Sequence, residues 1–85
     1  MIIYKYPVPI TDEFSLTMPR DAKILTLQLQ QGMATMWALV DLSHAPETRR
    51  FRIFGTGVPL DCVGLVYIGT FQANAFVWHL FEVVR

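Results

Sequence analysis

A single cysteine, Cys62, and two histidines, His44 and His79, are the only thiol and imidazole groups in this 85-residue chain. One cysteine cannot form an internal disulfide, and three scattered residues are too few for a structural zinc site, so neither a metal nor another cofactor is expected. Charge is scarce as well. Lys, Arg, Asp and Glu make up 16% of the sequence, whereas ordinary domains carry about 25%. The formal net charge is zero, which excludes the broad basic surface needed to bind a long nucleic acid through its backbone. Long apolar runs are missing too. No stretch approaches the ~20 residues of a membrane-spanning helix, and the opening MIIYKYPVP has neither the basic start nor the long apolar segment of a secretory signal. These absences predict a cytoplasmic protein with no membrane partner. Without repeats, low-complexity segments or linkers, residues 1–85 read as one domain.

Apolar mass is abundant: 53% of residues are hydrophobic and 13% aromatic. Its pattern has period two. Ile2, Tyr4, Tyr6 and Val8 alternate before Pro7 and Pro9 end the run, and Phe14, Leu16 and Met18 alternate up to Pro19, where Pro19-Arg20-Asp21 makes a turn. Leu25, Leu27 and Leu29 alternate with Thr26, Gln28 and Gln30. Gln31-Gly32 then centres a hairpin whose return strand holds Thr35, Trp37 and Leu39. A strand from Arg49 to Phe54 follows. Gly64 to Phe71 and Phe76 to Val84 form a second hairpin through Gln72-Ala73-Asn74. The resulting fold class is all-β: an antiparallel meander of six or seven strands forming a barrel or a sandwich. A short helical turn is read at Thr11 to Phe14, with Thr11 as its N-cap.

Two strands are apolar on both faces. In MWALV, Trp37 and Leu39 oppose Met36, Ala38 and Val40; in FVWHLFEVV, Val77, Phe81 and Val83 oppose Phe76, Trp78, Leu80 and Val84. Since a single small sheet cannot bury both faces, a homo-oligomer is expected, with the C-terminal strand as its candidate interface.

The densest charge is ETRRFRIFGTG, which holds three of the seven basic residues. On a strand, Arg50, Arg52 and Phe54 share one face while Arg49, Phe51 and Ile53 take the other. Arg50 and Arg52, about 7 Å apart, suit a carboxylate or phosphate held from both sides. The Gly55-Thr56-Gly57 loop could add backbone N–H groups and a hydroxyl. Trp37, Tyr67 and Trp78 fall on nearby strands and could stack a base while the arginines hold phosphate. A solvent-facing strand followed by a simple turn explains the same residues without any ligand.

Catalysis finds less support. Cys62 would need His44 or His79 beside it to act as a nucleophile. The adjacent carboxylates Asp12 and Glu13 suit a solvated turn better than an acid/base pair. The expected function is therefore non-enzymatic.

Taken together, KYPVPITDEF, MWALVD, RRFRIFGTG and FVWHLFEV resemble a family of small proteins encoded by phages and prophages and described only as a domain of unknown function. The resemblance runs over nearly the whole chain, and RRFRIFGTG is its most specific part. It implies genomic context, and by class analogy a counter-defence factor that sequesters a host nucleotide signal. One expectation is thus a homo-oligomer that captures an anionic, nucleotide-like small molecule through Arg50, Arg52, Gly55, Thr56, Gly57, Trp37, Tyr67 and Trp78. The other is an interaction or virion-associated structural protein that docks a host or phage protein through an apolar sheet face.

Overall fold

A computed structural model describes residues 1–84. Seven strands are present and, among the described residues, no helix: β1 (Ile2–Pro7), β2 (Glu13–Pro19), β3 (Lys23–Gln30), β4 (Met33–Val40), β5 (Pro46–Gly55), β6 (Leu65–Ala73) and β7 (Phe76–Val83). They form a three-stranded sheet in the order β1-β4-β3 and a four-stranded sheet in the order β2-β5-β7-β6. Every pairing is antiparallel. Among the described residues no helix is long and apolar enough to cross a membrane.

The class is all-β as the alternation predicts, but the strands neither close into a barrel nor run as a meander. Only β3–β4 and β6–β7 pair as consecutive strands. The reason lies in the connections. Pro7-Val8-Pro9 holds the chain extended after β1, so it cannot fold back as a hairpin, and Pro19 ends β2 before a left-handed Asp21 (φ 65°) redirects the chain. Each of these turns sends the next strand to the other sheet. The hairpins obey different chemistry: Gln31 (φ 51°) and Gly32 (φ 79°) are both left-handed, as a two-residue I′ loop requires. In the second hairpin the left-handed pair is Asn74 and Ala75, slightly beyond the predicted Gln72-Ala73-Asn74. The helical turn at Thr11 to Phe14 does not form. There the Thr11 hydroxyl donates to the Glu13 carbonyl, and the chain bends straight into β2.

Each sheet contributes one apolar face to a shared core. From the three-stranded sheet come Leu27, Met36, Ala38 and Val40; from the four-stranded sheet come Met18, Phe51, Ile53, Phe71 and Leu80. Phe51, at the centre, is fully buried and stacks on Phe14 with ring centroids 5.2 Å apart. Extents of 40 × 32 × 16 Å suit two layers packed about 10 Å apart.

At one side of the molecule β3 and β6 approach closely without pairing. A β-carbon at Gly69 would lie 3.2 Å from Leu27, so the approach depends on the missing side chain. Both strands carry an irregularity near this contact, between Ile24 and Thr26 and between Tyr67 and Gly69. Of the predicted leucine row only Leu27 is buried, because Leu25 sits at the irregularity and Leu29 near the open end of its strand.

Candidate functional site

Cross-strand partners point to the same side of a sheet, so the ladder fixes which residues share the outer face of the four-stranded sheet. Arg52 lies opposite Glu13 on β2 and Phe81 on β7, and Phe81 lies opposite Tyr67 on β6. Phe54 pairs with His79, and His79 with Thr70. Arg50 is flanked by Ser15 and Val83. The irregularity at Ile68 places Tyr67 and Thr70 on one face although they are three apart in sequence. Simple alternation would separate them.

Three aromatic rings form a row across this face. Phe81 meets Phe54 at 5.6 Å and Tyr67 at 5.5 Å, both edge-on, and the Arg52 guanidinium lies 4.8 Å from the centre of the Phe54 ring. That cover leaves Phe54 buried despite its outward direction. Arg52 Nε is itself buried without a hydrogen-bond partner. A polar chain runs beside the rings: His79 Nε2 is 2.8 Å from the Thr56 hydroxyl, and His79 Nδ1 is 2.9 Å from the Thr70 hydroxyl. Tyr67 OH joins it through Thr70. Among the described residues neither Arg50 nor Arg52 has an ion-pair partner.

Arg49 leaves the strand from the opposite face, as period two requires. Its Nε and Nη2 donate to the two Glu82 oxygens at 2.6 and 2.7 Å, and Nη1 donates to the Ala22 carbonyl at 2.6 Å. Hydrogen bonding to the Glu82 carboxylate raises the guanidinium's pKa above its ordinary value, against the opposing effect of partial burial. Arg49 therefore ties β5, β7 and the β2–β3 turn together and is occupied by structure.

The predicted site residues divide accordingly. Arg50, Arg52, Tyr67 and the Thr56 hydroxyl come together on one surface. Trp37 lies on the outer face of the other sheet, opposite Lys5 and Thr26. Trp78 faces inward, packs against the core and donates from Nε1 to the Ala73 carbonyl at 3.2 Å. Gly55 closes β5 with its α-carbon towards Trp78, and Gly57 (φ 88°) completes the turn that Val58 N–H makes to the Gly55 carbonyl. Thr56 N–H donates to the Val77 carbonyl, so its amide is committed to the fold, while its hydroxyl is shared with His79. His79, Thr70 and Phe81 are site neighbours that sequence reading missed, while Phe54 stands on the face of Arg50 and Arg52 as alternation predicts. The His79–Phe54 pairing follows once β5 and β7 are set side by side, but nothing in either segment alone announces it.

Cys62 is exposed on the β5–β6 connection. Among the described residues neither histidine is hydrogen-bonded to the thiol: His79 lies between the two threonines, and His44 Nδ1 is 2.9 Å from the Arg20 carbonyl. The described residues contain no group of three or more His, Cys, Asp or Glu able to hold a metal. An apolar groove runs elsewhere, between Pro7-Val8-Pro9, Phe14, Leu16 and Met33.

Comparison with curated proteins and with solved structures finds no match to this chain. A family model described as a domain of unknown function, DUF7352, matches residues 1–85. With the match spanning its full length, the chain belongs to the DUF7352 family.

Proposed function

We propose that the protein is a non-enzymatic binding protein that acts as a cytoplasmic homo-oligomer and captures an anionic, nucleotide-like small molecule on the outer face of its four-stranded sheet. The observation that supports this reading is two arginines without carboxylate partners among the described residues, beside an exposed tyrosine ring and two threonine hydroxyls. Arg50 and the terminal nitrogens of Arg52 hold the phosphate, Tyr67 stacks the base, and one threonine hydroxyl, that of Thr56 or Thr70, whichever accepts from the N–H of His79, donates to the ligand's edge. Trp37 and Trp78 stand too far from this surface to share the work. Glu13, the cross-strand neighbour of Arg52, opposes an anion and sets an upper limit on affinity. The resemblance to phage-encoded proteins makes counter-defence, by sequestering a host nucleotide signal, the role to test first.

A thermal-shift and calorimetric screen of cyclic and linear nucleotides tests it. A specific ligand raises the melting temperature by mass action. Arg50→Ala then weakens binding by about 1.5–3 kcal/mol, the range for charge-assisted hydrogen bonds, and leaves the free protein's melting temperature unchanged because Arg50 is exposed. Arg52→Ala is a poorer probe, since it also uncovers Phe54. Absence of any shift, with no copurified anion, would sink the reading. The alternative, a docking protein for a phage or host partner, draws on the apolar side chains left exposed on both layers, such as Met33 and Phe76.

A further inference from the structure

We propose that β1 is an assembly edge: two copies of the chain pair antiparallel through β1 and join their three-stranded sheets into one continuous sheet about a two-fold axis beside Tyr4. Among the described residues β1 pairs only with β4, so its other edge is open. The ladder shows which groups that edge presents. Val8 N–H donates to the Ala34 carbonyl, one rung beyond the Pro7–Thr35 pair. Alternate residues of an antiparallel strand turn both backbone groups to the same neighbour. Ile2, Tyr4 and Tyr6 therefore bond to β4, while Ile3 and Lys5 present free N–H and C=O groups outward. Pro7 also falls at an outward position, where its missing N–H costs the sheet nothing and ends the usable edge.

These outward groups select a register. Pairing Lys5 with the partner's Lys5 sets like charges opposite each other and places Ile3 against Pro7, which cannot donate. Pairing Ile3 with the partner's Ile3 leaves Lys5 facing the end of the strand. Pairing Ile3 with the partner's Lys5 satisfies all the free groups of both residues twice over, once on each side of the axis. It also brings Tyr4 beside the partner's Tyr4 at a close, non-hydrogen-bonded position. Apolar burial favours this edge and a second copy as its occupant. Ile2, Ile3 and Tyr4 are 46%, 55% and 41% exposed, and they lie on both faces of one strand. Of the other edge strands, β3 and β6 lie close to each other, and β2 is unlike β1: Ile53 N–H donates to the Asp12 carbonyl, so its outward rungs are Glu13, Ser15 and Thr17, whose side chains are polar.

This inference rests on the homo-oligomeric reading, and light scattering from micromolar to several hundred micromolar separates the two. The wild type is expected to be a dimer. Ile3→Pro and Lys5→Pro each remove an outward N–H without removing a rung to β4, and should give monomers with an unchanged circular dichroism spectrum; Ser15→Pro on the β2 edge should remain dimeric. Tyr4→Cys in a Cys62→Ser background should form an interchain disulfide under mild oxidation, a readout that holds even if the proline variants fold poorly. A monomeric wild type overturns both the oligomer and the edge. A dimer that survives both β1 prolines, or that fails to cross-link through position 4 when those variants do not fold, overturns the edge alone. Nucleotide binding is read separately and depends on neither outcome.

Discussion

Arg49 and Arg50 leave one strand from opposite faces, and their surroundings differ accordingly. Arg49 meets both oxygens of Glu82 where the two side chains are 17% and 15% exposed, so the pair is largely shielded from water. Removing one partner strands the other charge. Glu82→Gln should cost about 2–4 kcal/mol, near the range for breaking a buried pair, read from the urea midpoint; a change within measurement error would show that the bridge contributes nothing. Asp41 is a different case, partly exposed and held by its own turn. The Ser43 hydroxyl and then the Ser43 N–H, at 2.7 and 3.0 Å, keep its carboxyl below the usual range. A lowered carboxylate pKa adds stability above its unfolded value, and that contribution is lost as pH falls through the folded value. NMR titration should find Asp41 ionising below ordinary aspartates, and Ser43→Ala should bring it back up; an unchanged value in the variant would remove the serine from the account.

At the scale of elements, strand existence follows from alternation and strand phase does not. The residues of β5 point as the sequence predicts, because the strand is regular and period two needs nothing else. In β3 and β6 an irregularity resets the phase, which exposes Leu25 and turns Thr70 to the same face as Tyr67. In β3 nothing local announces this, and in β6 the isolated Gly69 is the one local sign. The irregularities lie where two strands approach without pairing, and Gly69 is the position that admits Leu27. Gly69→Ala should destabilise the fold by about 1–3 kcal/mol, the cost of overfilling a packed contact, in thermal or chemical denaturation. A neutral result would mean that Leu27 moves aside freely.

For the whole molecule, the two layers leave apolar side chains on their outer surfaces, and a chain this short buries a modest share of its area alone. If assembly completes the fold, stability depends on concentration: the melting temperature should rise across a hundredfold increase in protein, whereas an isolated monomer would show none. The sequence by itself determined the all-β class, the two hairpins, the strand limits set by proline and glycine, and the split of Arg49 from Arg50 and Arg52. Each of these depends on backbone geometry within a few residues. Only the tertiary structure decided which strands share a sheet. It thereby placed Tyr67 and His79 beside the arginines and removed Trp37 and Trp78 from them, because strand order is set by how distant segments bury a common core, and no local pattern encodes that choice.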